Sequence, residues 1–380
     1  MNAEMLDVAV VGAGIVGIAC AEACSEEGLR VVVLEEDRIA SGATGAGTGH
    51  IVALPVQGPE FALTRYSQEL WRRRAGEWPP GVRFRTCGAI WLAIGPGDWA
   101  LLQNAHRFLT EHGTPAELLS PAETRRREPA LSPTIDGGLW VPEDLVIVPA
   151  EATRHLWARS AARGATLREG QKVQSVDRGA VRLSSGEVVR ARHVVLAAGT
   201  GTRGLVPQLT LRPRKGHVLH LDTPPDLVRH QLLEASYLSA LGSTDLESIA
   251  FNAQPGPGRG TLLGSSRQYD IASAEIEERV LGLIRERAER FLPGVSRAAV
   301  IRQWTGARPA SGDGLPFIGP VPGRPEIIVA TGHEGIGITT SLATGRLVAD
   351  IILDRASEIP RTPYGLDRLG PLFGADAAST

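Results

Sequence analysis

The stretch Val10-Val11-Gly12-Ala13-Gly14-Ile15-Val16-Gly17 decides the fold of this 380-residue chain. It is a G-x-G-x-x-G run that follows an apolar strand, Val8–Val11, and opens a segment of helical apolar spacing, Ile15–Glu27. A second apolar strand, Arg30–Glu35, comes next and ends in acid, which completes a βαβ unit. Gly12 makes the tight turn, Gly14 lets backbone approach a pyrophosphate, and Gly17 lets the helix pack closely on the sheet. The helix start, with Ala13, Ile15 and Val16, offers N–H groups and a positive dipole end to phosphates. Glu35 closes the second strand and is placed to accept hydrogen bonds from an adenosine ribose. Glu36, one residue beyond the strand end, is the weaker candidate for that role.

Two further glycine-rich segments work outward from this unit. Ser41-Gly42-Ala43-Thr44-Gly45-Ala46-Gly47-Thr48-Gly49-His50 is a run of small residues whose backbone N–H groups can wrap a long phosphate-bearing cofactor, with Ser41, Thr44, Thr48, Gly49 and His50 as its candidates. A flexible linker is the bland alternative, but linkers do not normally run straight into an apolar segment such as Ile51–Leu54. Near the end of the chain, Ala330-Thr331-Gly332-His333-Glu334-Gly335-Ile336-Gly337-Ile338 again lies between a strand and a helix. A helix N-terminus there can stabilise a developing anion, which in a flavoenzyme is the reduced isoalloxazine. Two helix N-termini at opposite ends of the chain would then grip opposite ends of one FAD.

The rest of the pattern gives the domain plan. Helical spacing is expected over Phe61–Trp71, over Asp98–His112 with Asp98 as its cap, from Pro149 to about Arg163, over Ile276–Phe291 and over Ile338–Leu353. Hairpin strands are expected at Val173–Val176 and Val181–Leu183, and buried strands at His193–Ala198 and Ile327–Ala330. From Leu211–Pro213 onward, long alternating strands such as Val218–Leu221 and Thr261–Gly264 take over. The expected fold is therefore α/β plus α+β: a discontinuous Rossmann-like FAD-binding domain (1–56, 141–212 and 301–360) with an inserted antiparallel-sheet substrate domain (57–140 and 213–300). Residues 361–380 are expected to form a loose C-terminal tail.

Composition excludes several function classes. Forty basic against 42 acidic side chains give a net charge of −2, which is no footprint for nucleic acid. The basic residues are almost all arginine; Lys172 and Lys215 are the lysines. Cys20, Cys24 and Cys87 are too few for a disulfide framework, and the first two are expected as small buried helix residues. The apolar run Val8–Cys24 is flanked by acids and broken by glycines, so neither a signal peptide nor a transmembrane span is expected, and a cytoplasmic location is the default. His217 and His220, three apart on a strand, face opposite sides, and His333-Glu334 lacks the second histidine of H-E-x-x-H, so no metal site is expected. No G-x-S-x-G or Cys–His arrangement points to a hydrolase.

Taken with Gly-Leu-Trp-Val-Pro (138–142), His-Val-Val-Leu-Ala-Ala-Gly (193–199), Gly-Ala-Arg-Pro (306–309), Asp-Gly-Leu-Pro-Phe-Ile-Gly-Pro (313–320) and Gly-His-Glu-Gly-Ile-Gly-Ile (332–338), the chain resembles the D-amino-acid oxidase superfamily of FAD enzymes. Within it, Phe-Ala-Leu-Thr-Arg-Tyr-Ser-Gln (61–68), Arg-Pro-Arg-Lys-Gly-His (212–217), Gly-Ser-Ser-Arg-Gln-Tyr (264–269) and the stretch 331–342 look most similar to bacterial D-hydroxyproline dehydrogenases and the catalytic subunits of opine oxidase and proline dehydrogenase. The resemblance implies that the Val173 backbone meets the adenine and that Thr48, Gly49 and His50 pass beside the flavin ring. It further implies that Ala198 and Gly199 lie against the cofactor and that the last glycine turn meets the flavin pyrimidine edge. Arg308 matches the arginine that pairs with the substrate carboxylate. No cysteine lies near Arg308, where sarcosine oxidases carry the thiol that binds flavin, so noncovalent FAD is implied. Ser239-Ala240-Leu241-Gly242 departs from the D-hydroxyproline dehydrogenase pattern.

The chemistry so implied is oxidation of a D-amino or D-imino acid, D-proline or hydroxyproline type favoured, by hydride transfer to flavin N5. Arg308, His50 and Tyr237 are the substrate-binding candidates, Tyr269 is a further pocket candidate, and no general base is named. The alternatives are a sarcosine-like N-methyl amine or glycine oxidase, and a non-catalytic FAD-binding subunit of a heteromeric dehydrogenase. The implied partners are the small-molecule substrate, an electron acceptor (oxygen, a quinone or a partner protein) and, for the last alternative, further subunits.

Overall fold

The computed structural model describes residues 5–79, 83–239 and 245–373. Two sheets organise them. The first is built on the strand Leu6–Val11, which pairs in parallel with Val31–Leu34 on one side and Val188–Leu196 on the other. Thr166–Arg168 and Arg324–Thr331 extend it in parallel, and Phe317–Val321 closes one edge antiparallel to Arg324–Thr331. Strands buried on both faces read as continuous apolar runs, which is why Val31–Leu34 and Val194–Leu196 carry no polar alternation. The hairpin Val173–Asp177 and Ala180–Leu183 splays off antiparallel to Val188–Leu196.

The helix Ile15–Glu26 lies on this sheet, and it is buried almost all round because Pro149–Ala161 and Gly337–Ile352 pack against it. Cys20 and Cys24 are inside that packing, and burial pushes the Cys24 thiol up to about 12. Glu22 is buried on the same helix, and it is tolerated there because Arg74 and Arg159 reach its two oxygens at 3.0 and 2.9 Å.

The second sheet runs in the order Ala299–Ala310, Arg212–Asp222, Thr261–Tyr269, Glu247–Pro255, Gln231–Glu234, Ala89–Ala93, Gly137–Val141, Glu117–Leu119. It is antiparallel except for one parallel pair, Gln231–Glu234 with Ala89–Ala93. The amphipathic helix Glu278–Glu289 covers one face, placing Val280, Leu281, Ile284 and Ala288 on Leu219, Leu221 and Phe251. The other face looks toward the first sheet.

Four expectations are corrected here. The strand Ala299–Ala310, assigned by position to the nucleotide-binding part, is an edge strand of the second sheet; its register with Arg212–Asp222 places it there over eleven paired residues, a long-range match invisible to local pattern. The helix Pro59–Arg73, assigned to the substrate part, packs on Gly337–Ile352 and buries Leu63 and Trp71 in the nucleotide-side core, with Trp71 Nε1 donating to Thr339 O at 3.2 Å. The helix expected from Asp98 opens at Pro96 instead, since proline suits the first helical position, and the Asp98 carboxylate accepts the Ile94 N–H. The tail is not loose over residues 361–369: Tyr364 is buried and donates to Pro59 O at 2.6 Å, and Arg368 pairs with Asp313. Ala240–Gly242 fall outside the described residues. Among the described residues no helix is long and apolar enough to cross a membrane.

Candidate active site

Between the two sheets runs a cavity of about 930 Å³, from Glu35 and Val173 at one end to Arg308 and Glu334 at the other. The opening fingerprint forms one wall for steric reasons that single atoms make plain. Gly12 sits at φ +104°, where a Cβ would meet Ala197 O at 2.6 Å. A Cβ on Gly17 would lie 2.0 Å from Gly12 O, so only glycine lets the helix come this close to the turn. Thr44 folds back from the glycine-rich run, now a short helix Ala43–Ala46, and its hydroxyl takes the Ile15 N–H at 3.0 Å.

Glu35 reaches across the turn. Its carboxylate accepts the Ala13 N–H at 2.6 Å and the Asp37 N–H at 2.9 Å while lining the cavity. A carboxylate has acceptor sites to spare after two bonds, so Glu35 can rigidify the turn and still receive ribose hydroxyls. Glu36 also lines the cavity, and its carboxylate pairs with Lys172 at 3.1 Å.

Of the residues expected at a cofactor, Ala13, Gly17, Gly332 and Ile336 do not line the cavity; the others do. Each exception has a local cause. Ala13 gives its N–H to Glu35, Gly17 faces Gly12, and Gly332 turns the chain at φ +81° against Leu211 and Phe317. The Ile336 side chain packs instead on the apolar cluster that includes Val52 and Phe61.

At the far end, Arg308 comes from the edge strand and Glu334 from the last glycine turn. Arg308 Nη1 donates to Ser266 O at 3.1 Å, and Glu334 pairs with Arg214 at 3.1 Å. Burial alone would raise the Glu334 carboxyl, but Arg267, Arg308 and Arg214 outweigh it and hold the group below the usual carboxylate range. Arg308 is pushed down by burial and by its like-charged neighbours Arg267 and Arg214, with Glu334 opposing. Tyr237 lines the cavity; Tyr269 does not, being held between the guanidiniums of Arg212 and Arg214.

The two histidines are neutral. Burial lowers His50 to about 4, and its Nε2 is buried without a partner while the residue lines the cavity. Burial lowers His333 to about 3, and its Nε2 meets the Thr344 hydroxyl at 3.0 Å. None of the three cysteines lines the cavity. Among the described residues no three His, Cys, Asp or Glu side chains gather as a metal site.

Reading the sequence alone missed part of this wall. Gly216, Val218, Asn252, Ser265 and Gly306 line the cavity from strands of the second sheet. Alternation along those strands was the available signal, but the register that selects the inward face lies in the pairing.

The donor set fits a dinucleotide flavin: a glycine turn that excludes side chains, an acid at the ribose end, an orphaned imidazole nitrogen and a guanidinium at the opposite end. The FAD dependent oxidoreductase family (DAO) matches residues 7–351. Glycine oxidase of Geobacillus kaustophilus is 26% identical over 381 residues, covering 95% of this chain and 97% of that one. A crystal structure of glycine oxidase from Geobacillus kaustophilus superposes with a TM-score of 0.86 at 25% identity, covering 96% of this chain and 99% of that one. D-amino acid dehydrogenase of Paramagnetospirillum magneticum is 30% identical over 277 residues, covering 70% of this chain and 62% of that one.

Proposed function

This chain belongs to the DAO family of FAD-dependent oxidoreductases, with relatives named glycine oxidase and D-amino acid dehydrogenase, and from that premise we propose that its cavity oxidises the carbon–nitrogen bond of a D-amino or D-imino acid. The observation that carries the reading is Arg308, a half-buried guanidinium that lines the cavity at the end away from the glycine fingerprint. Glu334 is an anion within its field and Nη1 is given to Ser266 O, so a substrate carboxylate would be a further partner for the guanidinium on its cavity side.

Gly12, Gly14, Glu35, Thr48, Val173 and the last glycine turn would hold FAD, noncovalently, along the cavity. FAD bound there would supply the two-electron acceptor for oxidising the substrate's carbon–nitrogen bond to C=N, with one N–H proton released to water. The chain does the rest by position. Arg308 grips the carboxylate, and two-point contact fixes which way the α-hydrogen faces. Tyr237 walls the same end. His50, whose charged form burial disfavours, presents its unpartnered Nε2 at the cavity wall, where it can hydrogen-bond a ligand.

The D-amino acid dehydrogenase relative and the segments 61–68, 212–217 and 264–269 support the D configuration, with secondary amines of the D-proline type as the form to try first. The test is anaerobic mixing of the yellow protein with cis-4-hydroxy-D-proline, D-alanine, glycine and N-methylglycine, following flavin absorbance. Bleaching by the D-compounds supports the reading. Bleaching by N-methylglycine or glycine alone, with none by the D-compounds, overturns the D-amino acid assignment. Arg308→Ala is expected to raise KM at least tenfold with flavin retained, since a charged hydrogen bond is worth about 1.5–3 kcal/mol.

A further inference from the structure

The strands Arg212–Asp222 and Thr261–Tyr269 fall out of step behind the Arg308 end of the cavity. Lys215 pairs with Gln268 and Leu219 with Leu263, so residues 216–218 of one strand face residues 264–267 of the other, and the extra residue makes a β-bulge. Gly216 and Val218 line the cavity, so His217 between them points to the opposite face of the sheet. It is fully buried there, as is Ser266 beside it.

The His217 backbone N–H donates to Ser266 Oγ at 3.0 Å, and ring Nδ1 lies 3.0 Å from the same oxygen. The Glu277 N–H donates to the other ring nitrogen, Nε2, at 3.1 Å. An Nε2 that accepts leaves the ring proton on Nδ1, which therefore donates to Ser266 Oγ. Burial and the Lys215 charge disfavour a second ring proton. Glu277 is anchored in turn, its carboxylate accepting Lys215 Nζ at 2.8 Å and Gln268 Nε2 at 3.1 Å. On the cavity side, the Ser266 carbonyl accepts Arg308 Nη1 at 3.1 Å. A line of bonds thus passes through the sheet, from Glu277 through His217 and Ser266 to Arg308.

Ser266 pairs with Ile249 on one side but is out of the pairing with Arg212–Asp222 on the other, so the bonds to its hydroxyl replace that restraint. Arg308 needs a fixed acceptor. Its side chain is long and rotamer-rich, and the charges of Arg267 and Arg214 act against it. We infer that His217 and Ser266 are positioning residues: the imidazole fixes Ser266 from behind the sheet, and the Ser266 carbonyl aims the Arg308 guanidinium at a carboxylate in the cavity. The inference rests on the carboxylate role proposed above for Arg308 and names the residues that set its geometry.

The test is a double-mutant cycle on the flavin-loaded protein, read as the Kd of acetate from its perturbation of the flavin absorbance. His217→Gln keeps an acceptor for the Glu277 N–H and loses the donor to Ser266, whereas His217→Asn keeps that donor. We expect His217→Gln to raise Kd about fivefold or more, but less than about twofold when Arg308 is already alanine. His217→Asn is expected to stay within about twofold of wild type. An equal rise in both backgrounds is what a merely packed histidine gives, and it overturns the inference. No rise in a His217→Gln protein that retains flavin overturns it too. Should His217→Gln fail to fold, Ser266→Ala removes only the hydroxyl and enters the same cycle with the same expectations. In turnover, KM for the amino acid should rise by a similar factor while kcat changes by less than about threefold, and a fall in kcat alone counts against positioning. Acetate that binds wild type and Arg308→Ala equally well overturns the carboxylate role of Arg308 and this inference with it, a result recognised without any change at His217.

Discussion

The Arg308 guanidinium lies against the backbone of Gly216, where a Cβ would sit 2.6 Å from Nη2 and 2.7 Å from Nη1. Gly216 is in a strand, where glycine costs stability relative to a larger residue, so its presence is explained by this approach. Its backbone is not in the left-handed region, which means that alanine there is strained only by the contact. Gly216→Ala is expected to displace Arg308 and raise KM for a carboxylate substrate about tenfold or more, a loss of about 1.4 kcal/mol, with flavin content unchanged. Steady-state kinetics and the flavin-to-protein absorbance ratio check it. An unaltered KM would mean that Arg308 has no part in substrate binding.

Glu35 ties the Gly12–Gly17 turn to the end of the second strand through the N–H of Ala13 and of Asp37. Removing the carboxylate frees two backbone donors and takes away the expected ribose acceptor together. Glu35→Ala should weaken FAD binding by about ten- to a hundredfold, or about 1.4–2.7 kcal/mol. Titration of the stripped protein with FAD measures this, and an affinity equal to wild type would take Glu35 out of the cofactor site.

How much of this was legible in the sequence depends on how local the cause is. Gly12 and Gly17 could be placed because each answers to sterics within one turn of chain, and the turn is followed at once by its helix. Arg308 was found through its Gly-Ala-Arg-Pro setting. Arg214, Arg267 and Gly216 were not singled out, because what makes them matter is register: Arg308 lies opposite Arg214 although 94 positions separate their numbers in the chain. The same reason explains the misplaced edge strand. Local alternation says that a strand exists, and only pairing says which sheet owns it.

Tyr364 shows a similar limit at the C-terminal end. The segment after Pro360 has no periodicity, yet Tyr364 is buried against the nucleotide-side core and its hydroxyl donates to Pro59 O at 2.6 Å. Tyr364→Ala is expected to cost about 3–5 kcal/mol, the range for emptying an aromatic site, while Tyr364→Phe should cost only about 1 kcal/mol for the lost hydrogen bond. Urea unfolding of the two variants separates packing from hydrogen bonding. If alanine costs no more than phenylalanine, the ring contributes nothing and the segment is a tail after all.

Asp144 gives a pH dependence whose sign is fixed by its surroundings. Burial pushes its carboxyl up to about 8, although Oδ1 accepts the Ala53 N–H at 3.2 Å and Gln68 Nε2 at 2.7 Å, and Oδ2 is buried without a partner. An acid raised in the folded state favours folding most below its unfolded pKa, near 3.8. Its contribution is lost as pH rises through the window up to the folded value, because the unfolded chain ionises first. Asp144→Asn is isosteric with the protonated acid and does not titrate. The variant should therefore match wild type near pH 4 and gain on it by about 1–3 kcal/mol between pH 5 and pH 8, at 1.36 kcal/mol per unit with allowance for relaxation. Unfolding of both proteins across that range checks the prediction. A stability difference that stays constant with pH would mean that Asp144 folds as a carboxylate and that Gln68 and Ala53 stabilise the charge.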